Sequence, residues 1–169
     1  AYYVLELSSF QLDLTYSLRL DVAVWLNTAP DHIDRHGDMA HYAAAKRRVF
    51  ANQGAGDWAV VGVDDIHGAA ACTELTRAAA QHVAAISSGQ VLGRGVSALG
   101  EHLIDALHGR SETVADLTQA PALAGRHNAQ NAACATAAAL ALGLGAAAIQ
   151  AGLRSFPGLA HRMEQVGRK

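Results

Sequence analysis

DVAVWLNTAPDHIDRHGDMAHYAAAKRRVFANQGAGDWAVVGV, residues 21–63, is the stretch whose reading decides the fold. Val22 to Leu26 and Trp58 to Val63 are short runs of β-branched and aromatic residues. Their apolar positions are near-continuous instead of alternating, which suits strands covered on both faces in a parallel sheet. Between them the spacing predicts a helix over Asp38 to Gln53, with Asp38 capping the first turn and Gly54 ending the last.

Working outward, Tyr2 to Leu7 reads as another strand, and Ile66 to Gln81 as a helix leading to a fourth strand at Val83 to Ile86. Strands alternate with helices, so the pattern is α/β. From Ser87 to Ala124 it changes to short apolar pairs broken by Gly, as in Val91-Leu92-Gly93 and Ala98-Leu99-Gly100, which predicts short antiparallel strands. The Ala-rich segment Asn128 to Leu142 is a strong helix former ended by Gly143, and a second helix is predicted over Ala146 to Ser155. Phe156 to Lys169 reads as a Pro-Gly turn and the start of another strand. The expected fold is a mostly parallel sheet flanked by helices, with a small antiparallel portion.

Composition narrows the function classes. The 169 residues are long enough for one ordinary core without disulfide or metal staples. Hydrophobic residues make up 51% and aromatic residues 5%, so alanine dominates the apolar share and closely packed helices are expected. A net charge of −2, with Lys and Arg scattered, gives no basic stripe for a nucleic-acid partner. No apolar run approaches the roughly 20 residues that cross a bilayer, so no membrane insertion is expected. Cys72 and Cys134 lack the spacing of a zinc or redox motif, which suits a reducing cytoplasmic setting. Ala1 passes directly into Tyr2-Tyr3-Val4-Leu5, as in a chain cut just before a buried strand.

In an open parallel sheet, ligands collect beyond the carboxyl ends of the strands. Glu6-Leu7-Ser8-Ser9-Phe10-Gln11 ends the first predicted strand, and Asn27 followed by Asp31-His32-Ile33-Asp34-Arg35-His36 ends the second. A carboxylate at one strand end and an Asp/His cluster at another could serve a divalent cation, or Glu6 could cap the next helix and the His32 segment make only local turns. On a 3.6-residue period Lys46 shares the face of Met39, Tyr42, Ala43, Val49 and Phe50. Such a lysine either snorkels to solvent or faces a ligand site. Asn128 and Asn131 share a face in the first turn of the Ala-rich helix, suited to capping or to holding a nucleotide near the positive helix end. Arg162 is a phosphate or ribose partner, or one half of a surface ion pair. Lys46 and Lys169 are the only lysines, and neither follows a Gly, so these residues contain no GxxxxGK[ST] phosphate loop.

ELSSFQL (Glu6 to Leu12), LNTAPDHIDRHG (Leu26 to Gly37), YAAAKRRVF (Tyr42 to Phe50), GRHNAQNAACA (Gly125 to Ala135) and FPGLAHRMEQV (Phe156 to Val166) stand in an order that resembles the Mur ligase family of peptidoglycan synthesis. Within that family, SSFQL and GLAHRME look like the branch that adds D-glutamate. The branch adding the third peptide residue shares the Asp31–Gly37 and Tyr42–Lys46 segments. The resemblance implies an ATP-dependent amide-bond ligase that joins D-glutamate to UDP-N-acetylmuramoyl-L-alanine through an acyl phosphate. It implies Mg2+ held by Glu6, His32 and a carbamylated Lys46, with Ser8 near the muramoyl substrate and Asn128, Asn131 and Arg162 on ATP. It also implies that residues 1–169 are an incomplete central, P-loop ATPase-like domain. The phosphate loop, the UDP-binding domain and the C-terminal domain would then lie outside it, and the piece alone would be inactive. A non-catalytic nucleotide-binding or interaction module is the competing expectation.

Overall fold

The computed structural model describes residues 2–159, in two compact units divided between Ala84 and Ala85. Six strands form a sheet in the order β1-β2-β3-β4-β5-β6, and the α/β fold class read from the sequence is the one observed.

In the first unit, β1 (Val22–Trp25) pairs in parallel with β2 (Trp58–Gly62), Val22 opposite Trp58 and Trp25 opposite Val61. The helices are α1 (Ser9–Asp13), α2 (Ile33–His36), α3 (Met39–Arg47) and α4 (Ile66–Ala78). Ala23, Trp25, Ala59 and Val61 from the strands meet Phe50, Ala71 and Leu75 in one buried cluster, with the Trp25 and Phe50 rings stacked at 6.4 Å. Asp38 caps α3 as expected, its Oδ1 accepting the His41 N–H at 2.8 Å.

Three elements depart from the sequence reading. The helix predicted to Gln53 stops at Arg47, continues as a 3₁₀ turn over Arg48–Phe50 and then leaves helical geometry. There the Gln53 amide donates to the carbonyls of Leu20 (3.0 Å) and Trp58 (2.8 Å), tying the two strand entrances together. α4 stops at Ala78 because Ala79 turns left-handed at φ 50 and donates back to Leu75. Tyr2 to Leu7 is not a strand. No described strand pairs with it, Tyr3 is 91% and Val4 96% exposed, and β propensity without a ladder partner does not make a strand.

Asp57 closes the turn into β2. Its carboxylate accepts the Gly54 N–H at 2.7 Å and the Arg19 guanidinium at 2.9 and 3.1 Å. These bonds hold its pKa below the usual carboxylate value, the Arg19 hydrogen bond first. A carboxylate depressed on folding stabilises the fold above its unfolded pKa of about 3.9, and that contribution is lost as pH falls through the lower folded value. Asp57→Asn is therefore expected to lower the urea midpoint at pH 7, with the gap to wild type narrowing below about pH 4. A gap that does not change with pH would mean that shape, not charge, holds this turn.

The strand β3 (His82–Ser87) begins in the first unit and ends in the second. In the second unit it pairs in parallel with β4 (Gly95–Leu99), which pairs antiparallel with β5 (His102–Asp105), and β5 antiparallel with β6 (Glu112–Asp116). The predicted antiparallel portion is present, but β4 faces both ways, parallel to β3 and antiparallel to β5. Gly100, at φ 59, opens the two-residue turn between β4 and β5. The Ala-rich helix α5 (Arg126–Ala141) packs on β4 and β5. Ala132, Ala133 and Ala137 on its inner face are buried, small enough to let the helix axis approach the sheet. α6 (Ala146–Ser155) has the predicted bounds. Its Gln150 covers the end of β6, accepting the Asp116 N–H at 2.6 Å and donating to the Asp116 carbonyl at 3.0 Å. Of the strand expected after Phe156, residues 160–169 lie outside the described residues.

Candidate functional site

The carboxyl end of β1 builds the site of the first unit. Beyond Trp25 the chain runs through Asn27 and Thr28 to Asp31, and His32 then takes the left-handed conformation at φ 53. Histidine is among the non-glycine residues that tolerate this region. The His32 N–H donates to Asp31 Oδ1 at 2.8 Å, and its Nε2 lies 3.5 Å from Asp31 Oδ2.

Around His32 stand rings from three helices. Phe10 of α1 meets His32 edge-on at 5.0 Å and His36 of α2 at 5.7 Å. Tyr42 of α3 meets His32 at 6.2 Å and His36 at 5.3 Å. The Nε2 of His36 is 3.0 Å from Oγ of the buried Ser9, so α1 and α2 are joined by a polar as well as an aromatic contact. Burial raises the Tyr42 pKa, with the charge of Asp31 adding to it.

Lys46 lies half-buried on α3, as its place on the apolar stripe predicted. Its Nζ donates to the Asn27 carbonyl at 3.3 Å and lies 5.2 Å from the centre of the Tyr42 ring. Burial lowers its pKa, partly opposed by the charges of Asp65 and Asp31. The amine is thus held nearer to its neutral form than a surface lysine.

Other expected members of this set stand apart. Glu6 is exposed, and among the described residues no hydrogen bond or ion pair joins it to His32 or Lys46. No group of three or more His, Cys, Asp or Glu able to hold a metal ion occurs among the described residues. Ser8 is engaged in a capping box at α1. Its Oγ accepts the Gln11 N–H at 3.2 Å, and Gln11 Oε1 accepts the Ser8 N–H at 2.9 Å.

In the second unit a cleft of about 440 Å³ opens beside the start of α5, lined by Ser88, Glu101, Thr118 and Arg126 among apolar residues such as Leu117 and Leu123. Arg126 Nε donates to Ser88 Oγ at 3.4 Å. Asn128, half-buried, donates its amide to the Ala124 carbonyl at 2.9 Å. Asn131 is exposed. Neither amide lines the cleft. Arg162 lies outside the described residues.

Sequence reasoning missed Asp65, which caps α4 three residues beyond β2 and whose charge bears on Lys46. The rule that strand ends carry function would have found it, since Asp64-Asp65 follows Val63 as Asp31-His32 follows β1. Phe10 and His36 lie in the ELSSFQL and LNTAPDHIDRHG segments, but only the tertiary packing of α1 beside α2 shows that their rings meet.

Comparison with known proteins matches residues 1–139 to the family described as the Mur ligase middle domain. The chain is 57% identical over 168 residues to UDP-N-acetylmuramoylalanine–D-glutamate ligase of Caulobacter sp. (strain K31), covering 99% of this chain and 36% of that protein. It is 55% identical over 166 residues to the ligase of the same name from Phenylobacterium zucineum (strain HLK1), covering 98% and 35%. The chain therefore spans about a third of the length of these relatives. Among solved structures, MurF of Acinetobacter baumannii superposes with a TM-score of 0.60 at 26% identity, over 88% of this chain and 32% of that one. The UDP-N-acetylmuramoylalanyl-D-glutamyl-2,6-diaminopimelate–D-alanyl-D-alanyl ligase of the same species gives a TM-score of 0.66 over 95% and 33%, at 24% identity, and speaks for the fold alone. With a matching family description over most of its length and the strand-end site of the same segments, the chain belongs to the Mur ligase middle-domain family.

Proposed function

We propose that this chain is the central part of a cytoplasmic ATP-dependent ligase that adds D-glutamate to UDP-N-acetylmuramoyl-L-alanine in peptidoglycan synthesis. The observation that carries the reading is the setting of Lys46, a half-buried amine that donates to the Asn27 carbonyl just beyond β1 and whose pKa is lowered by burial, partly opposed by the charges of Asp65 and Asp31. The relatives' names supply the substrates.

Mur ligases use ATP and Mg2+. The donor types suit that cation, since the Glu6 carboxylate and the oxygens of a Lys46 carbamate would be hard anionic ligands. Glu6 stands apart from Lys46 and His32 here, however, and would have to approach them to complete the set. His32 completes the proposed set. When bound, magnesium supplies positive charge where two anions, a phosphoryl group and a carboxylate, must meet.

The chain's own residues prepare that meeting. The Lys46 ammonium first gives up one proton; the neutral amine then attacks carbon dioxide, forming an N–C bond and releasing a second proton to solvent, so that a cation becomes an anion. Burial favours this by disfavouring the ammonium. The Tyr42 ring lies 5.2 Å from the amine, and Phe10 and Tyr42 pack against the His32 imidazole, which sits beside Asp31. Ser8 would face the muramoyl substrate, and Asn128, Asn131 and Arg162 would hold ATP.

The test is a chimera in which this chain replaces the matching segment of the Caulobacter ligase. Phosphate release is expected only with ATP, UDP-N-acetylmuramoyl-L-alanine and D-glutamate together. Release with a different amino acid, or none from a folded chimera, would defeat the proposal.

A prediction for the second unit follows. In the chimera, Asn128→Ala and Asn131→Ala should raise the KM for ATP on the order of tenfold, the cost of one hydrogen bond left unmade, and leave the KM for D-glutamate nearly unchanged. An equal rise in both would point to a helix-capping role, for which Asn128 already has a partner in Ala124.

A further inference from the structure

The loop beyond β1 is held by a side chain from the loop beyond β2. Asp65 caps α4 with one oxygen, Oδ1 accepting the N–H groups of His67 and Gly68 at 2.9 Å each. Its other oxygen takes no part in the cap. Oδ2 accepts the N–H of Thr28 at 3.0 Å.

Thr28 is buried, and its Oγ1 accepts the indole N–H of Trp25 at 2.7 Å. One residue earlier, the Asn27 carbonyl accepts Nζ of Lys46. Asp65 therefore fixes, through a single peptide, the carbonyl against which the amine rests. Asp65 is itself held firmly. A Cβ on Gly68 would lie 2.0 Å from the Gly62 carbonyl oxygen, so the first turn of α4 sits hard against the end of β2.

We propose that Asp65 is a positioning residue for Lys46, acting through Thr28 and the Asn27 carbonyl. The inference rests on the functional reading of Lys46 given above and assigns part of that site to the end of β2. A residue whose only task was to cap α4 would need one oxygen. Asp65 uses two, and the second is spent on the loop that faces the amine.

The experiment uses Asp65→Ser and Asp65→Asn. Both keep a strong capping oxygen. Serine has no second oxygen for Thr28, and asparagine presents an amide donor to the Thr28 N–H. Hydrogen exchange of the 169-residue chain is followed in segments 26–32 and 66–78. Labelling of Lys46 by trinitrobenzenesulfonate is read against Lys169 by peptide mapping. Exchange in 26–32 should rise on the order of tenfold, the factor for one lost hydrogen bond, with 66–78 unchanged. Lys46 labelling should rise severalfold. Unchanged exchange in 26–32, or equal loosening of both segments, overturns the proposal.

In the chimera, Asp65→Ser and Lys46→Gln are assayed side by side. Loss of turnover in both supports the inference. Loss in Lys46→Gln alone overturns it and leaves the reading of Lys46 standing. Wild-type turnover in both removes that reading, and this inference with it.

Discussion

Replacing Lys46 by alanine in the chimera is expected to lower turnover on the order of a thousandfold, the scale reached when a preorganised charge is removed from a reacting site. Folding should be little affected, because the amine's protein contacts are one carbonyl at 3.3 Å and the face of Tyr42. Lys46→Arg should fail as well. Guanidinium keeps its positive charge at every accessible pH and cannot become a carbamate. A lysine that served only as a cation would be largely rescued by arginine, so the two substitutions together separate the readings. The direct measurement is carbon-13 NMR with labelled bicarbonate. A carbamate signal is expected in the parent chimera and not in Lys46→Ala. An absent signal combined with an active Lys46→Arg would show that Lys46 is a cationic contact and would undo the proposed ligand set.

The largest expected effect on stability belongs to Gly95→Ala. Gly95 stands opposite Ala85 in the parallel pairing of β3 with β4, at φ 140. A Cβ there would lie 2.0 Å from the Ala85 carbonyl oxygen and 2.8 Å from its carbon. Both are backbone atoms of a paired strand and cannot swing aside. Overpacking and an unfavourable φ together are expected to cost about 4 kcal/mol. That is a large part of the roughly 5–15 kcal/mol that holds a typical domain. Gly152→Ala is the matched control. Gly152 lies inside α6 with open space where its Cβ would be, so alanine should stabilise the helix by about 0.5–1 kcal/mol. The check is urea unfolding of both variants. Similar midpoints for the two would mean that the β3–β4 pairing has more freedom than its geometry implies.

The antiparallel portion was legible as a change of pattern from near-continuous apolar runs to Gly-broken apolar pairs, although β4 within it also pairs in parallel with β3. Its registers were not. The pairing of Ala85 with Gly95 and the bulge between Leu103 and Ile104 depend on which backbones approach, and side-chain polarity does not encode that. The start of α5 shows the same limit. Two asparagines on one face suggested a nucleotide contact, while the structure engages one of them with Ala124 and leaves the other exposed.

By itself the sequence determined the α/β class, the bounds of α6, the cap of α3 and the inward lysine, since each follows from local periodicity or from a residue type with one favoured place. The family resemblance was equally local, carried by five short segments. Only the tertiary structure decided that Tyr2 to Leu7 is unpaired, because a strand exists through its neighbour. Only the tertiary structure brought Phe10 of α1 and Tyr42 of α3 around His32, and set Asp65 against Thr28. These contacts join residues distant in the chain, and their energies depend on packing that no local pattern records.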